Sequence, residues 1–139
     1  MTLIFSGKEV SETEEVLITV LTCFDLNSHI KGYHVYKGIW TPDLNEKLSS
    51  EVEPDNIIDK YAVAVKKEGK VVGHLPLGKN GKFAKMIFYF LKADHYGKCD
   101  VTVTGRAVNL GDDDGMQVPC TLHFSAQKEM IQMLKKKIL

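Results

Sequence analysis

The sequence contains 139 residues, and its 18 Lys and Arg residues balance its 18 Asp and Glu residues. A chain of this length can form one domain and bury a substantial core without disulfides or structural metals. Because the formal net charge is zero, a basic coat over the whole surface is excluded, and any nucleic-acid site has to be local. No apolar run approaches the roughly 20 residues of a membrane span, and we expect no signal peptide, because its basic start and long apolar stretch are lacking.

The cysteines and histidines argue against a metal centre and against a catalytic nucleophile. Cys23, Cys99 and Cys120 are widely spaced and form no C-x-x-C pair, which disfavours a zinc site and a disulfide framework. This usage suits a reducing compartment, the nucleus or the cytoplasm. The five histidines show no metal-ligand spacing either. We therefore expect no cofactor, no membrane partner and no enzymatic activity.

The first part of the chain is predicted to hold an extension followed by two strands. Residues 1–15 form an N-terminal extension that ends in a charged and hydroxylated stretch. Val16–Phe24 is nearly all apolar or β-branched, which favours a strand over a short buried helix. Asp25–Ser28 is typical of a turn, and Gly32–Trp40 is predicted to be a second strand, rich in aromatic residues.

A hairpin lies at the centre of the predicted fold. Residues 44–52 partly alternate between apolar and polar, which favours a strand over a single helical turn. Residues 61–65 and 71–75 are strand-like runs on either side of a charged turn that contains a glycine, so they predict a β-hairpin. A polar loop rich in turn-forming residues, 53–60, leads into this hairpin.

An inner helix is predicted after the hairpin, with Asn80 as its N-cap. Apolar residues recur there at helical spacing, at Phe83, Met86, Ile87, Phe90 and Leu91. Lys79 and Lys82 lie beside the start of this helix, which is either a simple cap or a weak phosphate contact.

Two strands and a terminal helix complete the predicted elements. Cys99–Thr104 and Gln117–Phe124 both alternate, and Pro119 predicts that the second of them is an edge strand or begins late. Residues 126–139 form an amphipathic helix with lysines in its last turns. About six short strands with turn signals and two helices predict a mainly β, α+β domain, folded as a small antiparallel barrel over residues 16–139.

Polar and aromatic side chains at the ends of these elements are the candidates for binding. A carboxylate at Asp59 can cap its own loop by accepting backbone N–H bonds, or it can present an oxygen to a ligand hydroxyl. The aromatic stretch from Tyr33 to Trp40 is interleaved with His34 and Lys37, which suits either base stacking or the core of a barrel.

Five segments together resemble the HIRAN domain of DNA repair translocases. Gly32–Gly38 is similar to the first motif of that family. Its central motif is matched in order by Glu53–Asn56, Asp59–Val63 and Val72–Leu75, and its last motif by Gln117–Pro119.

The resemblance implies a small OB-like or SH3-like barrel that captures the 3′ end of single-stranded DNA without catalysis. The site residues that it implies in this chain are His34, Tyr36, Asn56, Asp59 and His74. On this basis Asp59 holds the terminal hydroxyl, Tyr36 stacks on a base and His74 contacts phosphate. Asn56 would bond the DNA backbone or a base, and His34 stands where a repair member has arginine.

Besides His34, several other positions depart from the repair members of that family. Val35 and Ile58 replace aromatic residues, and Pro76–Leu77 replaces a pair of lysines. Stacking is worth ~1–3 kcal/mol per base, and phosphate contacts dominate affinity for DNA, so these changes weaken binding. They leave open a protein-interaction or adaptor domain that keeps the HIRAN fold but has lost DNA-end binding. Asn56 and Asp59 would then serve only to cap their loop.

Overall fold

A computed structural model describes residues 2–5, 18–36, 38–92, 97–109 and 115–138, with the backbone alone at residues 2–5, 18–20 and 34. Its strands are β1 (Thr2–Phe5), β2 (Ile18–Ile30), β3 (Lys47–Val52), β4 (Val63–Lys67), β5 (Lys70–His74), β6 (Lys98–Val103), β7 (Val108–Asn109) and β8 (Met116–Ala126). Its helices are α1 (Tyr33–Tyr36), α2 (Lys82–Lys92) and α3 (Lys128–Ile138), and a 3-10 turn at Lys79–Gly81 precedes α2.

The strands form one antiparallel sheet in the order β1-β2-β8-β6-β3-β4-β5, and the short β7 also pairs with β8. The ladders follow an open path from β1 to β5. A single bridge joins Lys31, just beyond β2, to His74 at the end of β5, through two backbone hydrogen bonds of 2.8 and 2.9 Å. The mainly β, α+β class is therefore confirmed, while closure into an OB-like or SH3-like barrel stays a prediction.

The core lies between one face of the sheet and the two longer helices. Alternate residues of β8 are buried on that face, as their period-2 pattern predicts, at Val118, Cys120, Leu122 and Phe124. The helical spacing of α2 is confirmed, since Ile87, Phe88 and Phe90 are buried against the sheet. Ile131 and Leu134 of α3 complete this core.

The expected turn at Asp25–Ser28 is wrong, because these residues lie inside β2. The whole segment pairs with β8, with Asp25 opposite His123 and Asn27 opposite Thr121. Both Asp25 and Asn27 are exposed, so their polar side chains occupy the solvent face of a long strand. Polar residues that alternate in this way are compatible with a strand whose other face is covered.

The predicted strand at Gly32–Trp40 is also wrong, since its first part forms the short helix α1. Gly32 has a φ of 77° and ends the extended chain, which favours glycine at this position. The N–H of Val35 then donates to the carbonyl of Gly32 over 3.0 Å and begins a helical turn. Trp40, only 3% exposed, packs edge-to-face on Tyr33, so these aromatic rings serve the core.

Pro119 does not mark a sheet edge, because β8 lies between β2 and β6. Its carbonyl accepts the N–H of Thr104 over 3.0 Å, and N–H and C=O of one strand residue point to the same side. Pro119 has no N–H group, and this group would point to the side on which β6 has already ended. No hydrogen bond of the β-ladder is therefore lost.

The predicted N-cap is wrong as well, since Asn80 lies inside the 3-10 turn with a φ of 56°.

The remaining elements agree with the predicted hairpin, strands and terminal helix, with boundaries that differ by a few residues. Within the predicted extension, β1 pairs with the start of β2, while residues 6–17 lie outside the described part. The assignment of residues 16–139 to one domain stays a prediction. None of the helices in the described part of the chain has the length and apolar character that a bilayer crossing needs.

Candidate nucleic-acid interface

Four of the five predicted site residues meet where the sheet comes closest to closing. His74 ends β5 and is held in place by its backbone bridge to Lys31. Beside it lie α1, which carries Tyr36, and the loop between β3 and β4, which carries Asn56 and Asp59. The chain thus brings together side chains that lie far apart in the sequence.

Asn56 organises the loop between β3 and β4. Its Oδ1 accepts the backbone N–H groups of Ile58 and Asp59 over 3.0 and 2.9 Å. Its Nδ2 donates to Oε1 of Glu53 over 3.3 Å. An Asn side chain that bonds the backbone two and three residues ahead stabilises a tight turn, so Asn56 caps this loop.

Asp59 continues the same pattern. Its Oδ1 accepts the N–H of Tyr61 over 2.9 Å, while its carbonyl accepts the N–H of Ala62 over 3.1 Å. Within the described residues, the second carboxylate oxygen of Asp59 has no hydrogen-bond partner. The residue is half-buried, so that oxygen remains available to a ligand.

Glu53 is a member of the site that the sequence analysis missed as a functional residue. Its Oε1 lies 2.6 Å from Nε2 of His74, and the same oxygen accepts from Asn56. Both the Glu53 and the His74 side chains are roughly a quarter exposed, at 27% and 29%. The available signal was the position of Glu53 in the first segment of the central motif, three residues before Asn56.

The aromatic part of the site is Tyr36. Its ring lies 6.4 Å from the His74 ring, at an interplanar angle of 45°, and the residue is half-buried. We call Tyr36, Glu53, Asn56, Asp59 and His74 the His74 cluster. His34 lies two residues before Tyr36 in α1, where the structure describes its backbone alone.

Exposed apolar side chains lie on the segments that carry the His74 cluster and directly after β5. Ile57 and Ile58, in the loop that Asn56 caps, are 100% and 97% exposed, and Val35 of α1 is 67% exposed. Leu77, which follows β5, is 48% exposed. Large apolar side chains that are this exposed are typical of contact surfaces.

Tyr61 connects the loop to α2. The Tyr61 ring packs on Phe88 and Tyr89 at centroid distances of 5.3 and 5.8 Å. The ammonium groups of Lys60 and Lys85 lie 5.0 and 5.1 Å from its centre. A hydrogen bond with Tyr89, together with Lys60, lowers the pKa of the Tyr61 hydroxyl.

A second polar chain crosses the outer face of the sheet. Thr102 Oγ1 lies 2.9 Å from Nε2 of His123, whose Nδ1 lies 2.8 Å from Oδ1 of Asp25. This order of hydroxyl, imidazole and carboxylate occurs in hydrolases, which also need free N–H donors for an oxyanion. The N–H of Val103, next to Thr102, is bonded to the carbonyl of Glu46 over 2.9 Å. We therefore interpret this series of hydrogen-bonded side chains as a cross-strand link between β6, β8 and β2.

Metal binding has no support in the described ranges, where no group of three His, Cys, Asp or Glu side chains is arranged to hold an ion.

The two buried cysteines are also unsuited to act as nucleophiles. Burial raises the pKa of the Cys99 and Cys120 thiols to about 12, and the reactive form of cysteine is the thiolate.

The arrangement of strands and helices is the fold of the HIRAN domain. The crystal structure of the HIRAN domain of human HLTF matches with a TM-score of 0.62 at 21% identity, over 81% of this chain and 84% of that chain. An NMR structure of the HLTF HIRAN domain in its DNA-bound conformation matches with a TM-score of 0.60 at 21% identity, over 85% of this chain and 88% of that one. No protein-family model matches the sequence, and no curated protein matches it. The likeness in structure confirms the HIRAN fold that the motifs predicted.

Proposed function

We propose that this chain is a non-enzymatic module that binds single-stranded DNA and captures its 3′ end at the His74 cluster. The observation that carries the proposal is the hydrogen-bonded path from His74 through Glu53 and Asn56 to Asp59, with the Tyr36 ring beside it. The HLTF domain of the same fold has been solved in a DNA-bound conformation, which supports nucleic acid as the class of ligand.

The end of the strand would be held by Asp59 and Tyr36. The carboxylate oxygen of Asp59 that is not bonded to Tyr61 can accept a hydrogen bond from a terminal 3′-hydroxyl. The half-buried ring of Tyr36 offers a face on which the last base can stack. Asn56 has both of its amide atoms occupied within the loop, so its role is to position Asp59.

The charges of the cluster favour a hydroxyl end over a phosphate end. Nε2 of His74 faces the Glu53 carboxylate, so Nδ1 is the ring atom that can contact a phosphate of the DNA strand. A terminal phosphate next to Glu53 and Asp59 would be repelled by both carboxylates. His34, in α1, is the further candidate for contact with phosphates along the strand.

The bridge between Lys31 and His74 supports closure of the sheet into a small OB-like or SH3-like barrel. The His74 cluster would then lie at the closing seam, where a side chain at the end of β5 is held rigidly. A rigid seam suits recognition of a chain end, because little conformational entropy is lost on binding. Such a module would act on DNA in the nucleus or the cytoplasm, in a process such as repair.

Fluorescence anisotropy with a short labelled single-stranded DNA tests this function. We expect micromolar binding to an oligonucleotide with a free 3′-hydroxyl, and loss of that binding when the 3′ end carries a phosphate. The affinity should fall as salt rises, because phosphate contacts release counterions. Equal binding of the two oligonucleotides would argue against end capture.

A pair of variants in the same loop separates the ligand role of Asp59 from its structural role. Asp59→Asn keeps an oxygen that can accept the Tyr61 N–H but removes the charge that holds the hydroxyl. Asp55→Asn changes the same charge at an exposed position of the loop and serves as the control. We expect weaker binding from Asp59→Asn alone, and unchanged binding in that variant would contradict the proposal.

The exposed side chains of Ile57 and Ile58 favour one second candidate, a protein-interaction domain that keeps this fold. Apolar side chains at a loop tip are suited to a pocket on a protein partner. Absence of DNA binding at low salt would support this candidate. Strong, salt-dependent binding of oligonucleotides would argue against it.

A further inference from the structure

An apolar groove runs between α2 and α3, and no residue of the His74 cluster lines it. It has a volume of about 300 Å³. Its apolar lining consists of Met86, Tyr89, Phe90, Met130, Met133 and Leu134. Phe90 and Leu134 are 6% and 3% exposed and form its floor, while Tyr89 and Met133 are 53% and 59% exposed and form its rim.

The groove continues into a basic depression at the start of α2. This second space, of about 820 Å³, shares Met86, Tyr89 and Lys137 with the first. Its further lining includes Lys79, Lys82 and Lys85, and neither space is lined by an acidic residue. Within the described ranges, no ion pair neutralises Lys79, Lys82 or Lys137.

The concentration of cations here contrasts with the rest of the chain. The whole sequence has a formal net charge of zero. The 3-10 turn, α2 and α3 nevertheless carry lysines throughout, and Glu129 is their only acidic residue. Charge that is concentrated on one face attracts a partner of opposite sign.

We propose that this groove binds an amphipathic helix of a partner protein, with apolar residues along one face and acidic residues beside them. The apolar lining of the groove would contact the apolar residues of the partner helix. The lysines at the end of the groove would attract its acidic residues. Helix α2 has 11 residues, a length of about 16 Å that matches about three turns of a bound helix. A helix that docks in a groove contacts it through apolar residues at positions i, i+3, i+4 and i+7, which span about two turns.

The methionines distinguish this surface from a nucleic-acid contact. Met86, Met130 and Met133 are flexible and polarizable, so they can adapt to the side chains of a helix. A DNA backbone would use the lysines but would leave the apolar part of the groove uncovered. Protein interface cores are enriched in methionine and aromatic residues in this way.

Anisotropy of a labelled synthetic peptide with the full chain tests the proposal. The peptide has about 18 residues, with leucines at helical spacing on one face and glutamates on both flanks, and a scrambled peptide of the same composition is its control. We expect micromolar binding of the helical peptide and at least roughly tenfold weaker binding of the scrambled one. Equal binding of the two peptides, or no binding of either, would overturn the proposal.

Matched variants locate the binding surface. Met133→Gln should weaken the peptide roughly fivefold to tenfold through lost apolar contact, whereas Met116→Gln, at an exposed methionine of β8, should not. Lys82→Gln should weaken binding and reduce its salt dependence, unlike Lys70→Gln at the exposed start of β5. Peptide binding that Met133→Gln leaves unchanged would contradict the proposal. If the peptide fails to bind while Lys82→Gln weakens DNA binding, this face is a nucleic-acid contact instead.

Discussion

His74 Nε2 lies 2.6 Å from Oε1 of Glu53, a residue 21 positions earlier in the chain. The same carboxylate oxygen accepts the amide of Asn56. One side chain therefore connects the end of β5 to the loop that carries Asp59. This link contributes to the shape of the site, because it joins the loop to the end of β5 through a side-chain hydrogen bond.

Replacement of Glu53 by alanine should destabilise the protein through this link. Both Asn56 and His74 lose their shared acceptor, and we expect a loss of about 1–2 kcal/mol in the free energy of unfolding. Glu53→Gln should lose less, since its amide oxygen can still accept. Urea unfolding measures both, with Glu51→Ala as the control, because the exposed ion pair of Glu51 with Lys66 contributes at most about 1 kcal/mol. Equal losses for Glu53→Ala and Glu51→Ala would contradict the link.

Gly73 allows β5 to approach the end of β2, so Gly73→Ala should also destabilise the fold. A Cβ at this position would lie 2.7 Å from the carbonyl oxygen of Lys31 and against Ile30. We expect a loss of roughly 1–3 kcal/mol in the free energy of unfolding, typical of overpacking. Gly38→Ala is the matched control, since a Cβ there meets nothing within 4 Å. A thermal melt that shifts equally for the two variants would exclude a close approach at Gly73.

Tyr36 should contribute to DNA affinity through its ring. Tyr36→Ala removes a stacking contact worth ~1–3 kcal/mol, so anisotropy should show a loss of about 5-fold to 100-fold in affinity. Tyr36→Phe keeps the ring and should bind almost as the natural chain does. If the phenylalanine variant binds as poorly as the alanine variant, the hydroxyl and not stacking is responsible.

The two buried thiols predict a loss of stability at alkaline pH. Burial raises the pKa of Cys99 and Cys120 from 9.0 to about 12, so above pH 9 the unfolded chain loses protons that the folded chain retains. The contribution of the two protonated thiols to the free energy of unfolding is thus complete below pH 9, and it is lost as the pH rises towards about 12. Urea unfolding across this range should give a smaller decrease for Cys120→Ala than for the natural chain. Identical pH slopes would show that Cys120 ionises equally in both states.

For Glu46 we expect the opposite dependence of stability on pH, with a loss at acid pH. Burial acts to raise the pKa of Glu46, but hydrogen bonds from Lys67, the Asp43 N–H and the Trp40 indole outweigh it and hold the pKa below 4.5. The stabilisation is therefore present above pH 4.5 and is lost as the pH falls through the folded-state value. Glu46→Gln should lower the free energy of unfolding at pH 7 and differ less from the natural chain at pH 3. A difference of equal size at both values would contradict this role of the charge.

Local patterns were enough to predict several elements. The spacing from Phe83 to Leu91 predicted α2, and the alternation of Gln117–Phe124 predicted β8. Both patterns reflect burial of one face, which neighbouring residues along the chain specify directly. The turn at Asp25–Ser28 was predicted wrongly, because only pairing with β8 shows that these polar residues lie on the open face of a strand.

By itself, the sequence determined the hairpin and the polar loop that leads into it, and its motif order indicated a HIRAN fold. The hairpin and the loop depend on contacts between residues close in the chain, whose geometry the residue types specify. Tertiary structure alone decided that Glu53 holds His74, that Tyr36 lies beside it in a helix, and that α2 and α3 enclose a groove. Each of these depends on the register and packing of distant strands and helices, which local side-chain patterns do not encode.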